Sequence, residues 1–94
     1  MATVMVFPVG KDPVVLEAWA TEPVLGPDAV SIPLCEGLHL YYVDNAHHWA
    51  SLNRNFGPWA IYGDFMVVRT DEQGAWVDLE GGDPQQIGRM LFQG

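Results

Sequence analysis

Asn53–Arg69, NRNFGPWAIYGDFMVVR, is the stretch whose reading decides the fold. It carries four of the chain's eleven aromatic residues, a Gly57-Pro58 break and an apolar run with Gly63 inside it. Asn53 to Pro58 is loop by composition, because Asn, Gly and Pro favour turns over a hydrogen-bonded ladder. Trp59 to Arg69 is strand by composition, with Gly63 as its bulge or close-approach point. Rings and branched side chains at this density place that strand at the centre of a small core.

Downstream, Thr70-Asp71-Glu72-Gln73-Gly74 is a polar turn whose glycine suits the left-handed backbone of a hairpin loop. Ala75 to Leu79 is then the return strand, antiparallel to Phe65–Arg69. Gly81-Gly82 break the chain, and a C-terminal helix follows, with Asp83 as its cap, Pro84 at its first position and Gln86 completing a capping-box-like pair. Ile87, Met90 and Leu91 fall on one face of that helix, so it docks, although Gly88 weakens it by about 1 kcal/mol relative to alanine.

Upstream, Leu38–Val43 has bulk on both faces and reads as a central strand. Asp44-Asn45 close it, and Ala46 to Leu52 has the weak signal of one or two helical turns. Val30, Ile32 and Leu34 alternate with Ser31 and Pro33, which fits a strand with one buried face and its proline at an edge or bulge. Pro23, Gly26 and Pro27 make Ala20–Asp28 an exposed connection without helix or central strand. Thr3–Phe7 and Val14–Trp19 flank a Gly/Asp/Pro turn and read as a hairpin. The expected fold class is α+β: a small, mostly antiparallel sheet of about six short strands in hairpins, with a C-terminal helix, as one domain over residues 1–94.

Composition narrows the function classes. Twelve carboxylates against four Lys and Arg give a formal charge of −8, which disfavours nucleic acid as a partner. The acids stand singly, apart from Asp71-Glu72, without the ordered rows of a DNA mimic. Apolar runs fall far short of the ~20 residues that span a bilayer, and the N-terminus has no basic residue before an apolar core, so a cytoplasmic protein with no membrane partner is expected. Cys35 is the single cysteine, in keeping with a reducing compartment.

The order of these pieces resembles a small family borne mainly by bacteriophages and plasmids, the domain of unknown function numbered three-eight-four-six. The likeness runs through an opening strand and turn with Pro8, Gly10 and Pro13, the strand Val30–Leu34, and the strand Leu38–Val43 closing at Asp44. It continues through the asparagine loop with Asn53 and Asn55, the strand Ile61–Val68, and a last strand before a short helix, Val77 to Phe92. Where such proteins place a helix between the second and third strands, this chain has its Pro/Gly segment Ala20–Asp28. The resemblance implies a mobile-element setting and supplies no reaction, cofactor or catalytic residue.

Catalytic signals are weak throughout. His47-His48 are adjacent, so they point to opposite faces of a strand or about 100° apart on a helix, and they cannot chelate one ion as an i, i+4 pair does. His39 and Asp44 do not complete a ligand set. Cys35 sits beside Glu36, whose charge raises a thiol pKa rather than lowering it. Ser31 and Ser51 lack a nucleophile-elbow context, and Gly81-Gly82 lack the Lys-Ser/Thr of a phosphate loop. No enzyme, metal or cofactor is expected.

The positive signal is tryptophan: Trp19, Trp49, Trp59 and Trp76 are about three times the usual frequency. A core this small holds about two such rings, and exposed tryptophans anchor protein interfaces. Trp49 and Trp59 flank Asn53-Arg54-Asn55-Phe56, so these six residues, with Trp19 next, form the expected partner-binding surface. The expected function is that of a phage or plasmid accessory protein that docks on a host protein and inhibits it by occupancy. The rival expectations are a homo-oligomeric structural or regulatory module, such as a homodimer, and a small-ligand or nucleotide sequestering protein.

Overall fold

Phe65-Met66-Val67-Val68 is buried on both faces, a condition only an interior strand between two covering layers satisfies. A computed structural model describes residues 2–35, 37–43, 50, 52–56 and 59–92, with the backbone alone described at 35, 54–56, 59 and 90–92. The elements are β1 (Ala2–Phe7), β2 (Val14–Ala18), α1 (Glu22–Leu25), β3 (Ala29–Cys35), β4 (Leu38–Val43), β5 (Leu52–Phe56), β6 (Trp59–Tyr62), β7 (Phe65–Thr70), β8 (Trp76–Val77) and α2 (Asp83–Phe92). The main sheet has six strands in the order β2-β1-β7-β4-β3, with β8 also on β7. Every pairing is antiparallel, and the fold is α+β.

One edge of β7 serves two partners. Phe65–Val67 pair with Phe7–Met5, and Arg69 and Thr70 pair with Val77 and Trp76. Past the β1 ladder, Thr3 N–H donates to the Asp78 carboxylate at 2.9 Å, and Leu79 N–H donates to the Thr3 hydroxyl at 3.0 Å. These bonds join β1 to the chain after β8. The turn before β8 forms as its composition predicts: Gly74 takes φ +84°, while the Asp71 carboxylate accepts from Gln73 and Ala75 N–H at 2.9 Å each.

Strand alternation divides the core in two. On one face Met5, Phe7, Leu38, Leu40, Phe65 and Val67 meet Ile61 of β6 and Ile87 of α2. Phe7 and Phe65 stack there with centroids 4.6 Å apart. On the other face Val4, Val6, Ala18, Met66 and Val68 meet Val24 and Leu25 of α1, together with Tyr41 and Trp76. Because β2 and β3 are opposite edges of the sheet, the short segment between them must cross the sheet, and the contacts of Val24 and Leu25 show that it does so over this second face.

That crossing corrects the first expectation, since Ala20–Asp28 contains a helical turn. Pro23 falls in the first helical positions, where its missing N–H costs nothing, and Gly26 at φ +85° ends the turn as its N–H bonds to Glu22 O at 2.9 Å. The second correction concerns Asn53–Pro58: Leu52–Phe56 is a strand, paired with β6 in a separate two-stranded sheet. The third is that Trp59–Arg69 is two strands and not one. Gly63, at φ +77°, turns the chain between sheets, so β7 is the central strand and Ile61 belongs to the hairpin that covers it.

The fourth correction concerns the helix start. Gln86 N–H bonds to Gly82 O at 3.1 Å, which makes Gly82 the cap, and the Asp83 carboxylate turns back to accept from Glu80 N–H at 2.7 Å. The expected edge or bulge at Pro33 matches β3, which is an outer strand with a register shift between Pro33 and Cys35. Val30 on the same strand is exposed. The expected turns over Ala46–Leu52 fall mostly outside the described residues, and Leu52 itself opens β5.

Candidate protein-docking surface

Of the residues expected to bind a partner, Asn53 and Trp19 are the two whose side chains are described. Asn53 is half-buried, and its amide donates both hydrogens inward, to Phe7 O at 2.7 Å and Gly63 O at 2.8 Å. Val9 N–H donates to the Asp64 carboxylate at 3.0 Å, so Asn53 and Asp64 together tie the hairpin corner to the end of β1. Asn53 is therefore a structural clamp. Asn53→Ala removes both of these bonds and should lower the unfolding free energy by about 2 kcal/mol in urea titration. Asn53→Asp, which sets acceptor oxygens against both carbonyls, should lose at least as much.

The backbone register of β5 and β6 sets Phe56 opposite Trp59, Asn55 opposite Ala60 and Arg54 opposite Ile61. The side chains of Arg54, Asn55, Phe56 and Trp59, and all of Trp49, His47 and His48, lie outside the described residues. Trp19 is described, and it is 67% exposed at the end of β2. Trp76 is half-buried and tilted against Tyr41, centroid to centroid 5.6 Å.

Trp19 has company that the sequence did not single out. Val14, Val15 and Leu16, on the strand leading to it, are also exposed, Val15 at 54%. β2 ends the sheet, with β1 on its inner side and no strand on its outer side among the described residues. The opposite edge strand, β3, carries Pro33 and a bulge, both of which obstruct a further strand. β2 has neither, and its single charge is Glu17. Val14-Val15-Leu16 is as apolar as a buried strand, so composition alone does not reveal that it lies at an edge.

β2 residues alternate between faces. Val14, Leu16 and Ala18 oppose Val6, Val4 and Ala2, while Val15 and Glu17 oppose Met5 and Thr3. Where the first row ends, an open cleft of about 300 Å³ is lined by Ala2, Ala18, Trp19, Gly74, Ala75 and Trp76. Two indoles thus flank a floor of small residues beside a free strand edge.

A larger open hollow of about 940 Å³ lies at the far end of β4 and β7, lined by residues that include Gly37, His39, Arg69, Asp71 and Glu72. Among the described lining residues, Arg69 is already engaged. Arg69 Nε and Nη2 donate to the two Asp83 oxygens at 2.7 Å each, with the Glu80 carboxylate 3.9 Å from Nε. The Asp83 side chain is 4% exposed and the Arg69 side chain 18%. The hydrogen bonds from Arg69 hold the Asp83 carboxyl below its ordinary value; burial opposes this, and the Glu80 N–H and the charge of Arg69 reinforce it. Gly37, at φ +82°, leaves room for this pair, since a Cβ there would sit 2.7 Å from Arg69 Nη1. The arrangement locks α2 to the sheet. Among the described residues no group of three or more His, Cys, Asp and Glu is placed to hold a metal ion.

Comparison with family models, curated proteins and solved structures finds no match for this chain.

Proposed function

We propose that this chain is a docking module that works by occupying a surface of another protein, without turnover. The observation that carries this reading is the β2 edge, unpaired among the described residues, where Val14, Val15, Leu16 and Trp19 are exposed together. Apolar side chains clustered on a free edge stay in water at a cost that a partner removes, and a tryptophan among them is the usual anchor. A net charge of −8 directs such a surface toward proteins and away from phosphate backbones. The resemblance to a phage- and plasmid-borne family supports a mobile-element accessory protein acting in the host cytoplasm, with inhibition of a host protein as the outcome. No helix among the described residues is long and apolar enough to cross a membrane.

The test is capture from host lysate by immobilised chain, scored by mass spectrometry against the variant Val15→Lys/Trp19→Ala. A defined partner retained by the native chain and lost by the variant, with circular dichroism unchanged, is expected. The same proteins retained by both would sink the reading. The same free edge also suits a second copy of this chain, as in a homodimer, and sedimentation velocity at low micromolar concentration distinguishes that case.

A further inference from the structure

The geometry points to a particular occupant, an inference that rests on the docking reading above. β2 takes up an extended segment of another protein as an added strand, apolar on the side of Val14, Leu16 and Ala18 and basic on the side of Glu17.

The unpaired backbone of β2 supplies the ladder, and the alternation of its side chains supplies the selectivity. An added strand lays every second side chain beside the row Val14, Leu16, Ala18, which ends at the cleft between Trp19 and Trp76. Apolar side chains continue that row, and the last of them enters the cleft. The alternate side chains emerge on the other face, beside exposed Glu17. Opposite charges across a strand pair attract and like charges repel, so a lysine or arginine belongs there.

Charge also separates this occupant from a second copy. Two β2 strands paired about a dyad set Glu17 against Glu17, against Val15 or against Pro13, according to which of Glu17, Leu16 or Val15 lies on the axis. No register that pairs most of β2 brings a cation to Glu17, and each copy carries −8. A basic, alternating strand meets both demands.

The test uses a capped peptide of four Val-Lys repeats, titrated into the full chain. The expected result is slowing of amide exchange by tenfold or more, confined to residues 14–19, with a change in Trp19 fluorescence that Trp19→Phe removes. Glu17→Lys should weaken binding at least tenfold while leaving the fold intact by circular dichroism. A Val-Glu peptide should not bind, and a peptide with the same valines and lysines in two blocks should bind at least tenfold more weakly. Equal binding of the blocked peptide, or protection spread over acidic residues elsewhere, would overturn strand addition in favour of plain charge attraction. A dimer at low micromolar concentration with residues 14–19 already protected would overturn it in favour of self-pairing. Host capture that depends on Val15 and Trp19 without any peptide effect would keep the docking reading and reject this occupant.

Discussion

Asp83→Ala should lower the unfolding free energy by about 3 kcal/mol, the toll of leaving a largely buried guanidinium without its carboxylate. The substitution removes both 2.7 Å bonds from Arg69 and the acceptor for Glu80 N–H, and so frees the start of α2 from the sheet. Urea unfolding at neutral pH measures the loss. The double variant Arg69→Met/Asp83→Leu should lose less than Asp83→Ala alone, since the largely buried guanidinium is then removed together with its main partner.

The same pair sets an acid limit. The Asp83 carboxyl is held below its ordinary value in the folded chain, whereas an unfolded aspartate titrates near pH ~3.9. The folded state therefore binds fewer protons at that site through the interval between the two values. Its contribution is fully present above the unfolded value, and it disappears as pH falls through the folded one. The stability gap between the native chain and Asp83→Ala should be constant from neutral pH down to about 5 and shrink below about 3.9. A gap unchanged at lower pH would show that the pair is not what Asp83 contributes.

Phe65→Ala should cost about 4 kcal/mol, the larger of the two effects. Phe65 is fully buried, stacks on Phe7 and opens the strand that every other part of the main sheet is built around. A domain of this size has roughly 5–15 kcal/mol in total, so the variant loses about a quarter of its stability or more. Thermal unfolding by circular dichroism should show this as a midpoint lowered by roughly 15–30 °C. Phe65→Leu, which keeps most of the volume, should lose about half as much. Little change in Phe65→Ala would mean that the β1–β7 seam repacks freely.

Several elements were legible because their signals are local. The β1–β2 hairpin follows from two branched runs about a Gly/Asp/Pro turn, the β7–β8 turn from Asp71 and Gly74, and the edge position of β3 from Pro33. The hairpin Leu52–Tyr62 was only half legible. Its asparagines read as loop because turn residues outscore a strand in isolation, whereas Asn53 is kept in β5 by carbonyls of Phe7 and Gly63 that only the folded chain brings to it. The Arg69–Asp83 pair joins residues on a strand and a helix, and no spacing rule connects them.

The candidate surface divides in the same way. Tryptophan excess pointed toward binding and named Trp19 among its anchors. It ranked Trp19 after Trp49 and Trp59, from their place beside the asparagine loop, whereas the exposure of Trp19 is a property of its neighbours.

What the amino-acid sequence determined by itself was alternation, turn chemistry and charge: an antiparallel α+β chain with a terminal helix, acidic and rich in tryptophan. These follow from each residue's own geometry and ionisation. What only the tertiary structure decided was position. Val14-Val15-Leu16 and Phe65-Met66-Val67-Val68 are alike in composition, yet one strand is flanked on both sides and covered on both faces while the other ends the sheet. Strand order is set by long-range pairing and by what crosses each face, and that order leaves β2 and Trp19 in water.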